Sequence, residues 1–89
     1  MKGDLMEMIM SLDPVIVNWR RKLSDTEAYF VEIKTTKALY ERAAVVDESD
    51  GVYTVEFPAR KQASGKSLWV IRREIVPKKE VIWMRGYED

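Results

Sequence analysis

Three runs rich in β-branched and aromatic residues, each preceded by a turn signal, dominate the second half of the chain. The runs are Val52–Phe57 after Asp50-Gly51, Leu68–Ile71 after Ser64-Gly65-Lys66, and Val81–Met84 after Pro77-Lys78-Lys79. Runs of this composition, separated by Gly and Pro, are typical of antiparallel strands joined by tight turns. The pattern therefore constrains the architecture far more than it constrains the activity.

The first half of the chain shows the alternation of a sheet with one wet face. A first strand is predicted over 15–22, where Val15, Val17 and Trp19 fall on one side, and a turn over 24–27 follows it. Further strands are predicted over 29–34 and 39–47, with a helical turn near 36–40 left open. The expected fold class is all-β: an antiparallel meander of about six strands that forms a small sandwich or barrel.

Two positions inside the later strands carry more specific expectations. Pro58 cannot donate to a strand ladder, so it predicts a sheet edge or a bulge at the end of its strand. The strand over 67–76 has apolar residues on both faces, because Trp69 and Ile71 alternate with Leu68 and Val70. That pattern predicts either a central strand covered on both faces or a strand whose second face meets a partner.

The segment 4–12 fits two periods. Its apolar residues match one helical face, and they also alternate as in a strand; a short helix ended by Asp13-Pro14 is the preferred interpretation. Met8 and Ile9 lie in this Met-rich stretch, which either covers an open end of the β-structure or docks on a partner. The 89 residues predict one domain, with the β-domain over 15–86.

The composition excludes several kinds of chemistry. The chain has neither cysteine nor histidine, so thiolate metal sites, disulfides and His-dependent catalysis are absent. No apolar run approaches the roughly 20 residues of a membrane span, and the N-terminus lacks the pattern of a secretory signal. We expect a cytoplasmic protein, or a virion component if the chain is viral, with no membrane partner and no cofactor.

Two short motifs suggest chemistry without supporting it. Ser64-Gly65-Lys66-Ser67 ends like a phosphate-binding P-loop, but Arg60 stands where the motif needs glycine, and a strand follows instead of a helix. The acidic residues at 47, 48 and 50 suit calcium, but their spacing misses the calcium-loop pattern. A hairpin turn and a solvated loop are the expected structures, and the protein is not expected to be an enzyme.

Basic residues are unevenly distributed although the formal net charge is zero. Residues 1–50 carry seven Lys/Arg against ten Asp/Glu, while residues 51–89 carry eight against five. The candidate nucleic-acid-binding residues are Arg20, Arg21, Arg60, Lys61, Arg72 and Arg73. This alternative function, a small nucleic-acid-binding barrel, requires an exposed stacking aromatic (Trp19, Trp69, Trp83 or Tyr87) on the same face as the arginines.

Three segments carry a resemblance to a known group of proteins: 50–57 (DGVYTVEF), 65–71 (GKSLWVI) and 81–86 (VIWMRG). In this order the pattern resembles the small β-sandwich modules of tailed-phage virion proteins, such as baseplate and tail components. The resemblance covers roughly residues 27–86 and carries no functional residues across. It implies a structural subunit that works by docking and self-association.

The expected function is therefore a non-enzymatic protein–protein interaction module, a structural subunit of a larger assembly. The strand over 67–76 and the segment 4–12 would supply the contact surface, with Trp69 or Trp83 as anchors. Arg72, Arg73 and Arg85 would set the register by pairing with the acidic 47–50 loop of a neighbour. A small inhibitor of a host protein is a further alternative.

Overall fold

Residues 13–86 are described by a computed structural model of the protein. The elements in chain order are helix α1 (Pro14–Leu23), strands β1 (Tyr29–Thr35), β2 (Leu39–Ser49), β3 (Val52–Ala63) and β4 (Lys66–Pro77), a short 3₁₀ helix (Lys78–Glu80), and strand β5 (Val81–Gly86). All strand pairs are antiparallel, and the five strands form one sheet in the order β4-β3-β2-β1-β5. The predicted small all-β fold is confirmed, with five strands instead of about six.

The segment predicted as the additional strand, over 15–22, lies in helix α1, so that prediction is wrong. Asp13 caps the helix by accepting a hydrogen bond from the Val15 amide at 2.9 Å, and Pro14 occupies the first turn, where its missing N–H costs nothing. The Asp13-Pro14 pair thus begins this helix. Ile16 and Trp19 lie three residues apart on its buried face. The predicted helix over 4–12 lies outside the described residues.

The sheet carries a hydrophobic cluster on each face. On one face six residues are buried, namely Val31, Ile33, Ala43, Val45, Val55 and Val76, and partly buried aromatic residues surround them. On the other face α1 packs through Ile16 and Trp19 against Ala44, with Phe30, Trp69 and Ile71 around them. Val31 and Ile33 of β1 are buried while Glu32 between them is half-buried, so the alternation predicted for the strand over 29–34 is confirmed.

The sheet must curl, because its two outer strands are close neighbours in sequence. β4 and β5 lie at opposite edges, yet only the three residues of the 3₁₀ helix join them. Four strand spacings span about 19 Å in a flat sheet, more than the roughly 14 Å that this connection reaches when fully extended. Val81 and Met84 of β5 accordingly pack against the cluster that contains Val76 of β4.

Two tight turns follow the sequence signals. Asp50-Gly51 joins β2 to β3 and Ser64-Gly65 joins β3 to β4, and all four residues have positive φ, between 50° and 79°. This backbone is that of a two-residue hairpin turn whose twist matches the strands. The predicted hairpin at 47–51 and the predicted turn at 64–65 are confirmed, while residues 36–38 form a bend rather than a helical turn.

Of the two positions predicted for the strand over 67–76, the central one is wrong, because β4 is an edge strand paired only with β3. Its two faces differ. Trp69 and Ile71 pack against the helix cluster on one face, whereas on the other face Leu68 is 48% exposed and Val76 is buried in the sheet cluster. The core therefore covers the Val76 end of the second face and leaves Leu68 exposed, and contact of this face with a partner stays a prediction.

Candidate functional site

The β3–β4 hairpin extends well beyond the rest of the sheet. β3 pairs with β4 along its whole length, but its pairing with β2 covers only Val52 to Glu56. β2 carries a bulge at this point, where Arg42 has a φ of 54° and the register with β1 shifts. Bulges bend a strand and increase its twist. Residues 57–72, here called the distal hairpin, therefore form a two-stranded arm.

Pro58 lies where this arm separates from β2. Its partner across the hairpin is Ile71 of β4, and β2 offers it none. On the side of β3 that would have paired with β2 no strand lies beside Pro58, so the lack of an N–H at this residue costs no interstrand hydrogen bond. Of the two predicted alternatives, an edge or a bulge, the local pairing confirms the edge; the prediction that the strand ends at this proline is wrong, because β3 continues to Ala63.

Helix α1 supports the arm from one side. Trp69 and Ile71 of the arm belong to the cluster of Ile16 and Trp19. The Glu56 carboxylate, at the base of the arm, accepts a hydrogen bond from the Trp19 indole at 2.9 Å on one oxygen. Its other oxygen accepts from the Arg73 guanidinium at 2.6 Å. Glu56 therefore ties helix and hairpin together, a role that the sequence pattern missed because Trp19 was assigned to a strand.

The charges on α1 and the distal hairpin all have one sign. These two segments hold seven Lys/Arg and no Asp/Glu, whereas the remaining described residues hold seven Lys/Arg against eleven Asp/Glu. We call the seven cations the basic surface: Arg20, Arg21, Lys22, Arg60, Lys61, Lys66 and Arg72. The zero net charge of the chain thus hides a strong separation of charge.

Most of the basic surface has no internal counter-charge. Within residues 13–86, six of its cations form no ion pair: Arg21, Lys22, Arg60, Lys61, Lys66 and Arg72. Elsewhere several cations are paired, as Arg85 of β5 is with Glu32 of β1 at 2.7 Å and Lys78 of the 3₁₀ helix is with Glu48 of β2 at 2.6 Å. Each member of that last pair shifts the pKa of the other: the hydrogen bond from Lys78 lowers the pKa of Glu48, and the same bond raises the pKa of Lys78.

Two grooves border the basic surface. One of about 510 Å³ runs between α1 and β4, with Trp19 and Ile71 among its apolar lining and Lys22 and Arg73 among its cations. The other, of about 350 Å³, is lined by Arg60, Lys61, Val70 and Arg72 of the distal hairpin. Arg60 is paired with Trp69 on the face that α1 covers, whereas Lys61 and Arg72 lie on the opposite face, so cations of the arm lie on both of its faces.

The aromatic residues do not form an open stacking platform on this surface. Trp19 is buried, with 6% exposed, and the Arg60 guanidinium lies 4.6 Å from the centre of the half-buried Trp69 ring. Arg72 and Arg73 are consecutive strand residues, so they point to opposite faces of the sheet, and the expectation that they share a face is wrong. Tyr87 lies outside the described residues.

The residues predicted to form a protein interface fall into two groups at opposite sheet edges. Trp69, Arg72 and Arg73 lie on β4, while Trp83 and Arg85 lie on β5, where the guanidinium is 5.0 Å from the ring centre. Met8 and Ile9 lie outside the described residues. Two residues of the basic surface, Lys22 and Lys66, are absent from the predicted sites; the packing of α1 on β4 groups Lys22 with the others, and the β3–β4 hairpin groups Lys66 with them.

Residues 13–86 define the class: a small all-β domain in which one curled antiparallel sheet carries helix α1 on one face. The chain matches no protein-family model, no curated protein and no solved structure. In the part of the chain that the structure describes, no helix is both long and apolar enough to cross a membrane.

Proposed function

We propose that the protein is a non-enzymatic binding module that holds double-stranded DNA through its phosphate backbone on the basic surface. The observation that carries this proposal is the group of six cations on α1 and the distal hairpin that lack ion pairs within the described residues. Phosphate contacts by Lys and Arg supply most of the affinity of DNA-binding proteins, because they release condensed counterions. Cations already held by carboxylates would contribute much less.

The shape of the distal hairpin favours a duplex over a single strand. The major groove of DNA is about 12 Å wide and admits a two-stranded β-ribbon. The distal hairpin is such a ribbon, with no acidic residue and with cations on both faces. Single-strand binding relies on exposed aromatic rings for stacking, and here Trp19 is buried and Trp69 lies beneath Arg60. Phosphate contact on both sides of the ribbon is therefore the mode we propose.

A binding role also agrees with the chemistry that the chain contains. It has no histidine or cysteine to act as a general base or a thiolate nucleophile. The cations of the distal hairpin are exposed, which suits the binding of anions. Catalytic groups, in contrast, are typically buried so that their surroundings adjust their reactivity. We therefore propose a reversible complex whose affinity depends on salt.

Fluorescence anisotropy with a short labelled DNA duplex tests the proposal directly. The protein is titrated against the duplex, the matching single strand and an RNA duplex of the same sequence, over a series of salt concentrations. We expect the DNA duplex to bind most tightly, because the major groove of RNA is too narrow for side chains to enter. The logarithm of the binding constant should fall linearly with the logarithm of salt concentration.

A pair of matched variants locates the binding surface. Lys61→Gln/Lys66→Gln removes two cations of the distal hairpin, whereas Lys37→Gln/Lys79→Gln removes two exposed cations outside the basic surface. The first variant should weaken binding on the order of tenfold per lost phosphate contact near 0.1 M salt and reduce the salt slope by about 1 for each. Equal losses in the two variants, or no duplex binding by the unmodified protein, would overturn the proposal.

The other functional predictions remain predictions. A structural subunit of a larger assembly, the phage virion module implied by the resemblance, and an inhibitor of a host protein all require a protein partner. The exposed apolar side chains on the two outer strands suit such a partner: Ile75 is 60% exposed, Ile82 is 59% exposed and Trp83 is 39% exposed. These residues lie outside the basic surface, so the same molecule has room for both kinds of contact.

A further inference from the structure

The outer edge of β4 is open along the described part of the chain. β4 is twelve residues long and pairs only with β3, so one side of its backbone has no strand beside it among residues 13–86. Edge strands present unpaired N–H and C=O groups that can template pairing with another chain. The side chains of β4 decide which partner and which register this edge accepts.

The two-residue turn identifies which backbone groups of β4 face outward. Ala63 and Lys66 flank the turn, so they form a hydrogen-bonded pair, and the pair type alternates from there because the β3–β4 register has no shift. Pro58 and Pro77 then both fall in non-hydrogen-bonded pairs, as residues without an N–H should. Ile71, Arg73 and Ile75 therefore direct their backbone N–H and C=O groups toward the open edge.

β4 also carries two opposite charges without ion-pair partners within residues 13–86, two positions apart on one face. Arg72 is exposed and Glu74 is half-buried. The Oε1 atom of Glu74 accepts a hydrogen bond from the Tyr40 hydroxyl at 2.9 Å, and Oε2 has no partner within the same residues. An antiparallel neighbour that offered Glu opposite Arg72 and Arg opposite Glu74 would satisfy both groups.

We propose that the partner is a second copy of this chain, paired antiparallel along β4 about a two-fold axis at Arg73. In this register Arg72 faces Glu74 of the other copy, and Glu74 faces its Arg72. Ile71 faces the other copy's Ile75 on the opposite side of the sheet. A two-fold interface uses the same patch twice, so each favourable contact occurs twice.

The backbone pattern agrees with this register. Arg73 pairs with its own symmetry mate and Ile71 with Ile75, and all three are the outward-facing residues, so each pair exchanges two hydrogen bonds. Arg72 and Glu74 then form the non-hydrogen-bonded pairs, in which opposite side chains approach most closely. Repulsion between the two Arg73 side chains at the axis is reduced, because each Arg73 forms an ion pair with Glu56 of its own chain at 2.6 Å.

Neighbouring registers are less favourable. A shift of the axis to Arg72 places the two Arg72 side chains directly opposite each other, and Glu74 then faces Val70. A shift to Ile71 places Arg72 opposite Val70 and Glu74 opposite Leu68. Like charges or unmatched charges opposite each other destabilise a strand pair, so the axis at Arg73 is the register that the side chains select.

The pairing would create a continuous sheet of ten strands with α1 of both copies on the same face, because a two-fold axis perpendicular to a sheet preserves its faces. The dimer does not depend on DNA binding. Arg72 is engaged in the dimer, so the two proposals are tested at different positions, Arg72 and Glu74 for the dimer and Lys61 and Lys66 for DNA.

Sedimentation equilibrium without nucleic acid tests the dimer with a charge-swap series. The unmodified protein should have twice the mass of one chain. Arg72→Glu places two acidic pairs in the interface and Glu74→Arg places two basic pairs, so each variant should be monomeric. The double variant R72E/E74R restores opposite charges in the reversed sense and should dimerise again.

Mixing the two single variants distinguishes a loss of dimerisation caused by like charges from one caused by a damaged fold. Arg72→Glu carries Glu at both positions and Glu74→Arg carries Arg at both, so an equimolar mixture should form a heterodimer although neither forms a homodimer. Circular dichroism checks that each variant folds, and Lys79→Glu, at an exposed cation outside both proposed surfaces, should leave the mass doubled. A monomeric unmodified protein, or a dimer that both single variants retain, would overturn the proposal.

Discussion

The body of the sheet, by which we mean the five strands without the distal hairpin, differs from the hairpin in how its charges are compensated. In the body, cross-strand ion pairs such as Arg85 with Glu32 neutralise exposed charges above a core of buried Val, Ile and Ala. The distal hairpin has no acidic residue, and its core contacts are those of Phe57 at its base with the sheet cluster and of Trp69 and Ile71 with the helix cluster. One region is arranged for stability and the other collects charge of one sign.

This difference indicates which region of the molecule is expected to bind a partner, although the net charge of the chain is zero. Like charges on neighbouring strands repel and add nothing to folding. Their clustering on a segment that projects from the core is thus poorly explained by stability. The body and the hairpin should therefore respond differently to substitution: changes in the body alter the free energy of unfolding, and changes in the hairpin alter binding.

The largest expected effect is on the body. Ile33 is fully buried in the sheet cluster, so Ile33→Ala should lower the free energy of unfolding by about 3 kcal/mol through lost burial and the cavity left behind. Urea denaturation measures this loss. The folded fraction should keep its affinity for DNA; a loss of stability below about 1 kcal/mol would contradict the assigned core.

A smaller effect is expected at the boundary between the two regions. Glu56→Gln keeps an oxygen to accept from the Trp19 indole but removes the charge that holds Arg73. We expect the free energy of unfolding to fall by about 1.5 kcal/mol, because a hydrogen bond to a charged group is lost.

The same substitution should affect binding in the opposite direction. Arg73 would be released beside the basic surface, so affinity for duplex DNA should rise, with a steeper salt dependence. Thermal unfolding and the anisotropy titration together test the pair of effects. A variant that loses both stability and affinity would contradict the separation of the two regions.

The cap of α1 gives a third prediction. Asp13→Ala removes the side chain that accepts from the Val15 amide and should cost about 1 kcal/mol of stability. Asp13→Asn keeps an accepting oxygen and serves as the control, with most of the stability retained. Equal losses in the two variants would show that the charge matters and the capping hydrogen bond does not.

The smallest effect concerns a surface pair of the body. The hydrogen bond from Lys78 lowers the pKa of Glu48, so this carboxylate stabilises the fold above the ordinary Glu pKa, and the contribution is lost as the pH falls through the lowered value. In Lys78→Met the pKa of Glu48 should return toward its ordinary range. An NMR titration of the Glu48 carboxyl measures this, and an unchanged pKa would contradict the pairing.

Local chemistry explains which elements the sequence predicted. Asp50-Gly51 and Ser64-Gly65 determine their own turns, because a few residues suffice to set the backbone. Alternation likewise predicted β1, and a run of β-branched and aromatic residues predicted β3, because both signals are local to the strand itself. Helix α1 was missed since Val15, Ile16 and Val17 are β-branched, although Asp13-Pro14 was a helix start signal and Ile16 and Trp19 have helical spacing.

Long-range arrangement explains what the sequence did not predict. The edge position of β4 depends on β5 returning beside β1, which nothing in residues 67–76 specifies. The basic surface likewise depends on α1 packing on β4, so Lys22 could not be grouped with the hairpin cations from its position in the chain, whereas Lys66 follows from the β3–β4 turn. Zero net charge further obscured the surface, because the compensating acidic residues lie elsewhere in the sequence.

We propose that DNA contacts α1 and the distal hairpin and leaves the remaining strands untouched. Backbone amide chemical shifts of the labelled protein, recorded by NMR during a titration with a short DNA duplex, test this proposal residue by residue. We expect the shift changes to be concentrated in residues 14–23 and 57–72, with β1 and β5 nearly unchanged. Shift changes concentrated in β1 and β5, or none at all, would overturn the proposal.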